Sequence, residues 1–138
     1  MGFVYSRRQA LRLVVVAPLL AQCGPASPQP FGDVTAGNAA DLALGEIKAV
    51  PGAPCFVARD AGGVYAMTTT CSHAGCDLGD GVEGSTIHCP CHGSVYDADG
   101  NVLQGPAPIP LAHFLVTVDA TGVMTVHGAQ EVPPSTRA

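Results

Sequence analysis

The residues with the clearest chemistry are thiols and imidazoles gathered between Cys71 and His92. Four of the 6 cysteines and three of the 5 histidines lie in these 22 residues. They include two short pairs, Cys71 with His73 and Cys89 with His92, each placing a thiolate and an imidazole two or three residues apart. Such pairs suit tight loops that present both groups to a metal ion. Fifteen residues separate His73 from Cys89, which allows the chain to turn back and the two loops to close one metal site.

This arrangement resembles that of the Rieske iron-sulphur proteins, in which two cysteines hold one iron of a [2Fe-2S] cluster and two histidines hold the other. The resemblance implies that Cys71 and Cys89 are the thiolate ligands and that His73 and His92 are the imidazole ligands. It also implies a [2Fe-2S] cofactor of the Rieske type and one-electron transfer as the activity.

Two further cysteines of the stretch, Cys76 and Cys91, are not ligands in this resemblance. In the high-potential branch of the family, the equivalent pair forms a disulfide that ties the two ligand loops together. Low-potential ferredoxins and ring-hydroxylating dioxygenases lack that pair. The resemblance therefore implies a Cys76–Cys91 disulfide and the high-potential type that is found in cytochrome bc complexes.

More positions match the family after the second pair. Ser94 and Tyr96 correspond to residues whose hydroxyls donate hydrogen bonds to cluster sulphurs, and residues 105–108 correspond to a proline loop that covers the cluster. The members of this covering loop are Gly105, Pro106, Ala107 and Pro108. One position departs from the pattern, since quinol-oxidising complexes usually have leucine where this chain has Ala74.

Counting charges gives the expected redox behaviour. Two ferric ions, two sulphides and two thiolates sum to zero with neutral imidazoles, whereas four thiolates would give a net charge of minus two. Adding an electron is therefore easier with the mixed ligand set. Reduction potentials of such centres lie at about −150 to +300 mV, well above those of plant-type ferredoxins.

Two other interpretations of the same residues stay open. A structural zinc site uses the same four ligands, although it gives no reason for the two extra cysteines. A framework of disulfides alone suits an exported chain, but it leaves the paired histidines unexplained. The remaining imidazoles, His88, His113 and His127, have no ligand spacing and are interpreted as ordinary strand or surface residues.

The elements that position this site are predicted to be short strands. The chain has 138 residues with 17 Gly, 12 Pro, no Trp and 12% charged residues, which favours strands and turns over long helices. Runs at 45–50, 55–59 and 64–68 are separated by turn signals and predict an antiparallel meander, and runs at 113–118 and 123–126 predict a final hairpin. The sequence thus predicts a small antiparallel all-β domain, and the resemblance implies that it has the Rieske fold over residues 45–128, with the cluster-binding loops as an insertion.

The regions outside this domain are assigned from composition. Residues 24–44 are expected to be a linker and the entry to the domain, and residues 129–138 a flexible tail. Residues 1–23 resemble a twin-arginine export signal, with Arg7 and Arg8 before a short apolar run. Cys23 lies in a segment that resembles a lipoprotein cleavage site. The alternatives to its lipidation are ordinary cleavage and an uncleaved signal that anchors the protein.

The net charge and the expected export restrict the possible partners and location of the protein. Without the first 23 residues, three basic residues face eleven acidic ones, a net charge of minus eight, which argues against a nucleic-acid partner. The expected location is the periplasmic side of a bacterial cytoplasmic membrane. The expected role is electron transfer from quinol, beside a cytochrome b-type subunit, to a c-type cytochrome. The alternatives are the small subunit of a periplasmic molybdenum oxidase of the arsenite oxidase kind, bound to its large subunit, and a zinc- or disulfide-stabilised binding protein without redox chemistry.

Overall fold

A computed structural model of the chain describes residues 24–138. Within that range the chain forms ten strands in two sheets and one short 3-10 helix, Ala39–Asp41. The strands are β1 (Asp33–Asn38), β2 (Ile47–Ala49), β3 (Cys55–Asp60), β4 (Gly63–Thr68), β5 (Val82–Glu83), β6 (Thr86–His88), β7 (Val95–Tyr96), β8 (Val102–Gln104), β9 (His113–Val118) and β10 (Val123–Val132). The predicted all-β fold is confirmed.

The larger sheet has six antiparallel strands in the order β1-β10-β9-β4-β3-β2. Strands β3 and β4 of this sheet are buried at successive positions, and since successive side chains point to opposite sides, both faces of these strands are covered. Phe56 and Met67 pack into a core on one face, whereas Val57 and Ala66 pack into a second core on the other face. This explains why β3 and β4 are continuous apolar runs instead of alternating ones.

The smaller sheet has four short strands in the order β5-β6-β7-β8. It packs on the first of these cores through Ile87 and Tyr96, both completely buried. The loops that leave this sheet, together with the loop after β4, carry the cysteines and histidines singled out above. The larger sheet therefore serves as a base and carries the loop after β4, and the smaller sheet carries the other loops.

The folded unit is wider than the predicted range of 45–128. Strand β1 pairs with β10 through Asp33 opposite His127 and Thr35 opposite Thr125, so the sheet already begins at residue 33. Strand β10 itself continues to Val132. The sequence prediction ended the domain too early because β10 loses its apolar alternation after His127, where its register with β9 shifts.

The last residues are packed on the domain, in contrast to the expected flexible tail. Ala138 N–H donates to the carbonyl of Val64 at 2.9 Å, and Val64 N–H donates to the carbonyl of Ala138 at 3.1 Å. Arg137 forms ion pairs with Asp60 at 2.8 Å and with Asp99 at 2.7 Å, and its guanidinium lies 3.9 Å from the centre of the Tyr65 ring. These contacts bind the segment to β4.

The predicted linker is also packed against the domain. The Phe31 ring meets Phe114 edge to face, with the ring centres 5.1 Å apart. It occupies space that Gly128 leaves free, since a Cβ at this position would overlap the Phe31 ring. Further back, Ala26 N–H donates to the carbonyl of Ser72 at 2.9 Å, which brings the start of the described chain to the loop that follows β4.

The export signal at residues 1–23 and the lipidation expected at Cys23 lie outside the described residues. In the described range, 24–138, there is no helix of the length and apolar character that crossing a membrane requires.

Candidate metal centre

The first ligand loop, residues 71–76, is closed by two backbone hydrogen bonds. Cys71 N–H donates to the carbonyl of Cys76 at 2.8 Å, and Gly75 N–H donates to the carbonyl of Cys71 at 2.9 Å. Gly75 has φ +78°, a left-handed conformation that glycine adopts without strain. The loop is therefore a tight turn that begins at its cysteine.

The second ligand loop, residues 89–94, repeats this pattern. Cys89 N–H donates to the carbonyl of Ser94 at 2.8 Å, Gly93 N–H donates to the carbonyl of Cys89 at 3.1 Å, and Gly93 has φ +75°. In both loops the bonds join the cysteine to the residues four and five positions later. The two loops thus have the same architecture, although their sequences share only cysteine and glycine at these positions.

A disulfide between Cys76 and Cys91 joins the two loops. The pairing expected from the resemblance is confirmed. Cys76, Cys89 and Cys91 place their sulphurs within 4.8 Å of one another, yet this group is not a metal site, because two of the three sulphurs are bonded to each other and are not thiolates.

The imidazoles of His73 and His92 converge at the outer end of the two loops. Their Nδ1 atoms lie 3.2 Å apart, and the rings are perpendicular with centres 4.7 Å apart. Two nitrogens bound at about 2.0–2.1 Å to one tetrahedral metal ion would be separated by about 3.3 Å. The pair is therefore already spaced to share one metal ion through Nδ1.

The thiols of Cys71 and Cys89 form the inner pair, and both residues are buried, at 1% and 4% exposure. Each thiol lies at the turn of its own loop, where two backbone N–H groups point at the sulphur. The donors are the residues two and three positions after each cysteine: His73 and Ala74 in the first loop, Cys91 and His92 in the second. Amide donors of this kind stabilise a sulphur that carries negative charge.

One hydroxyl makes the two thiols different. Tyr96 is completely buried, and its hydroxyl lies 3.3 Å from the sulphur of Cys71. Burial opposes ionisation of Cys71, but the hydrogen bonds from Tyr96 and from the loop amides lower the pKa of this thiol below its ordinary value. Burial raises the pKa of Cys89, and the neighbouring Cys71 adds to this. Burial, together with the bond to Cys71, raises the pKa of Tyr96 to about 12.

The covering loop at residues 105–108 closes the site on one side. Ala107 is buried and its N–H donates to the hydroxyl of Ser94 at 3.0 Å, while Pro106 and Pro108 are exposed. The peptide bond between Gly105 and Pro106 is cis. Ser94 accepts this bond, so its own hydroxyl proton remains available for another acceptor.

These donors fit a two-iron cluster better than a single zinc ion. The thiols are buried at the base of the loops and the imidazoles lie at their outer end, so the ligands form one sulphur pair and one nitrogen pair. A [2Fe-2S] cluster of the Rieske type needs one such pair on each iron. A structural zinc site would draw all four ligands around one point. The residues present thus fit the Rieske cofactor.

Sequence reasoning missed two residues that contact this site. Ser72 is 3% exposed and hydrogen-bonds both Tyr96 and the carbonyl of Ile109. Gln104 donates its side-chain amide to the carbonyl of Gly93 at 3.0 Å. The position of Ser72 between two predicted ligands could have indicated that it contacts the site. Nothing in the sequence distinguishes Gln104 from an ordinary strand residue.

The remaining sulphur and nitrogen groups lie away from the centre. Cys55 is a free, completely buried thiol whose pKa is raised by burial to about 11, so it is a core residue. His88 and His127 are partly exposed and pair with Glu83 and Asp33. His113 is buried, which the sequence did not indicate, and its Nε2 bonds to the carbonyl of Asp99 at 2.9 Å.

Comparison with known families agrees with this geometry. The family model of the Rieske [2Fe-2S] domain matches residues 33–115, which are 83 of the 138 residues. A cytochrome b6-f complex iron-sulfur subunit of Synechococcus sp. (strain JA-2-3B'a(2-13)) is 36% identical over 108 residues, 76% of this chain and 62% of the relative. That of Synechococcus elongatus is 38% identical over 87 residues, 59% of this chain and 48% of the relative. The chain thus spans about half to three fifths of the length of these relatives.

Solved structures with a similar fold include the following two proteins. The cyanobacterial plasma membrane Rieske protein from Synechocystis PCC 6803 superimposes with a TM-score of 0.54 and 34% identity, over 67% of this chain and 97% of that chain. The ferredoxin of carbazole 1,9a-dioxygenase from Nocardioides aromaticivorans IC177 gives a TM-score of 0.50 and 30% identity, over 70% of this chain and 98% of that chain.

Proposed function

Because the chain belongs to the Rieske [2Fe-2S] domain family, we propose that it transfers one electron at a time as the high-potential iron-sulphur subunit of a cytochrome bc-type complex. It takes the electron from quinol and passes it to a cytochrome, on the periplasmic side of a membrane. The observation that carries this proposal is the convergence of a buried thiol pair and an outer imidazole pair in two loops joined by a disulfide.

In this proposal Cys71 and Cys89 bind one iron, and His73 and His92 bind the other. The cluster supplies a one-electron couple with a potential that the neutral imidazoles keep high. The disulfide supports the high-potential branch, because the resemblance ties this branch to a cysteine pair at these two positions.

The protein's own residues position the donors and keep water from the thiols. Cys71 and Cys89 are buried, and Ala107 of the covering loop is buried beside them. His92 is exposed and His73 is partly exposed, with Ala74 exposed beside it. Because the Nδ1 atoms face each other, each ring has its Nε2 free to accept a proton from a docked quinol. Proton and electron can thus leave the quinol at the same edge of the protein.

The partners we propose are a cytochrome b-type subunit, which holds the quinol, and a c-type cytochrome that accepts the electron. Support comes from the relatives, which are subunits of cytochrome b6-f complexes. The net charge of minus eight over residues 24–138 suits a partner with a basic docking surface.

Two measurements test this function. Membranes solubilised in mild detergent should yield the protein together with haem b and haem c, and quinol should reduce the purified complex with the appearance of the paramagnetic signal of a reduced Rieske cluster. A preparation with Cys71→Ala is the matched control and should give no such signal. Co-purification with a molybdenum-containing large subunit instead of the haems would replace the bc-type assignment with the molybdenum oxidase alternative.

A further inference from the structure

Ser72 is a buried hydroxyl that lies between two proposed ligands and contacts the tyrosine beside the cluster. Its Oγ lies 2.6 Å from the carbonyl oxygen of Ile109 and 3.2 Å from the hydroxyl oxygen of Tyr96. Its backbone N–H also donates to the Tyr96 hydroxyl at 3.2 Å. That same tyrosine hydroxyl lies 3.3 Å from the sulphur of Cys71.

Counting protons fixes the direction of these bonds. A carbonyl oxygen only accepts, so the short contact with Ile109 takes the single hydroxyl proton of Ser72. The proton between Ser72 and Tyr96 must then belong to Tyr96. Tyr96 also has one proton, and it has two acceptors at nearly the same distance, the sulphur of Cys71 and the oxygen of Ser72.

The loop does not need the Ser72 hydroxyl for its own geometry. The second ligand loop closes with the same backbone bonds, and the position that corresponds to Ser72 is occupied there by Pro90, which is exposed and has no hydroxyl. The side chain of Ser72 is therefore free to serve another purpose than the turn.

We propose that Ser72 is a positioning residue that tunes the reduction potential by competing with Cys71 for the Tyr96 proton. This inference rests on the proposed function, since it requires a cluster bound through Cys71. A bond from Tyr96 to the sulphur stabilises the reduced state, which carries the extra negative charge. Because Ser72 accepts the same proton part of the time, it weakens the bond from Tyr96 to the sulphur. The reduction potential is therefore lower than it would be with Tyr96 alone.

The test is the midpoint potential of Ser72→Ala, measured by redox titration of the paramagnetic signal. Removing the competing acceptor should favour reduction by about two- to tenfold in the equilibrium constant, a rise of about 20–60 mV for one electron. Ser72→Thr keeps the hydroxyl and should retain the wild-type potential. In a Tyr96→Phe background, Ser72→Ala should cause no shift, because the contested proton is absent.

The double variant separates this mechanism from a loosened covering loop. Ser72→Ala also frees the carbonyl of Ile109, and a shift from that cause would persist with Tyr96→Phe. A fall in potential, no shift, or a shift that persists in the double variant would each overturn the proposal. So would loss of the cluster in both Ser72→Ala and Ser72→Gly while Ser72→Thr retains it, since the hydroxyl would then serve assembly. A wild-type protein without a Rieske spectrum would instead refute the proposed function itself.

Discussion

At the scale of single residues, the two hydroxyls beside the thiols differ in what they contact. Tyr96 lies against the sulphur of Cys71, whereas Ser94 accepts a bond from Ala107 and keeps its own proton. Both side chains are completely buried, so water cannot replace the hydrogen-bond partner of either hydroxyl if that partner is lost. Their deletion should therefore have different structural consequences.

Tyr96→Phe and Ser94→Ala should each retain the cluster and lower its midpoint potential, because a hydroxyl donor stabilises the more negative reduced state. A bond to a charged group contributes about 1.5–3 kcal/mol. If the hydrogen bond stabilises the reduced state by about 1–2 kcal/mol more than the oxidised state, losing it lowers the midpoint potential by about 40–85 mV per hydroxyl, at 59 mV per 1.4 kcal/mol. Redox titration checks this. Ser94→Ala should in addition loosen the covering loop, seen as faster amide exchange at Ala107. Unchanged potentials with intact spectra would make both residues packing residues only.

The ligands and the disulfide should respond differently to substitution. Alanine at Cys71, His73, Cys89 or His92 removes a required bond and should abolish the cluster. Cys76→Ser or Cys91→Ser leaves all four ligands in place and should give a cluster that assembles but is lost faster, because the loops are no longer joined.

Optical spectra and iron content of the six variants, followed over time, measure this difference. A ligand variant with a normal spectrum would remove that residue from the set. Equal and complete loss at all six positions would show that the disulfide is as necessary for assembly as the ligands are.

At the scale of elements, the sequence predicted strands where the apolar runs were strong. Strands β3 and β4 are buried on both faces and therefore appear as continuous apolar segments. Strands β7 and β8 have only two and three residues and leave no periodicity to detect. The ligand loops were predictable because metal chemistry restricts the residue types. The contacts of Arg137 were not predictable, because a charged residue near a chain end is usually solvated.

Arg137→Ala should release the last residues from β4. Two ion pairs and the contact with the Tyr65 ring would be lost. Because Asp60 and Asp99 are partly exposed, the expected loss is only about 1–2 kcal/mol in the free energy of unfolding. Amide exchange at Val64 and Ala138 should accelerate, and Arg137→Lys should give exchange rates between those of wild type and Arg137→Ala. Exchange rates equal to wild type would mean that the backbone bonds alone hold the segment.

His113 should make the domain less stable in mild acid. Burial, together with Arg137, lowers the pKa of this imidazole, although the Asp99 carbonyl and carboxylate oppose the shift. The unfolded chain therefore binds a proton at about pH 6.5, where the folded chain does not, so stability falls as pH decreases. His113→Gln can keep the bond to Asp99 and does not titrate. The difference in unfolding free energy between wild type and this variant should shrink from pH 7 to pH 5. A constant difference would contradict a neutral buried His113.

At the scale of the whole molecule, one broad sheet and the small sheet packed on it each supply one of the two loops of the candidate metal centre. The two cores lie on opposite faces of β3 and β4, and the core that includes Cys71, Cys89 and Tyr96 is the one beneath the loops. Both segments outside the predicted domain range pack onto this unit, at Phe31 and at Arg137. The loops are therefore fixed on this base, and the imidazole edge and the prolines of the covering loop face outward.

The central claim is that two cysteines hold one iron and two histidines hold the other. Mössbauer spectroscopy of the protein enriched in the Mössbauer-active iron isotope tests it most directly. The oxidised protein should show two different ferric sites in equal amounts, and one-electron reduction should convert only the histidine-bound site to ferrous iron. A single iron environment, as four thiolate ligands would give, or a protein that binds zinc and no iron would contradict the account.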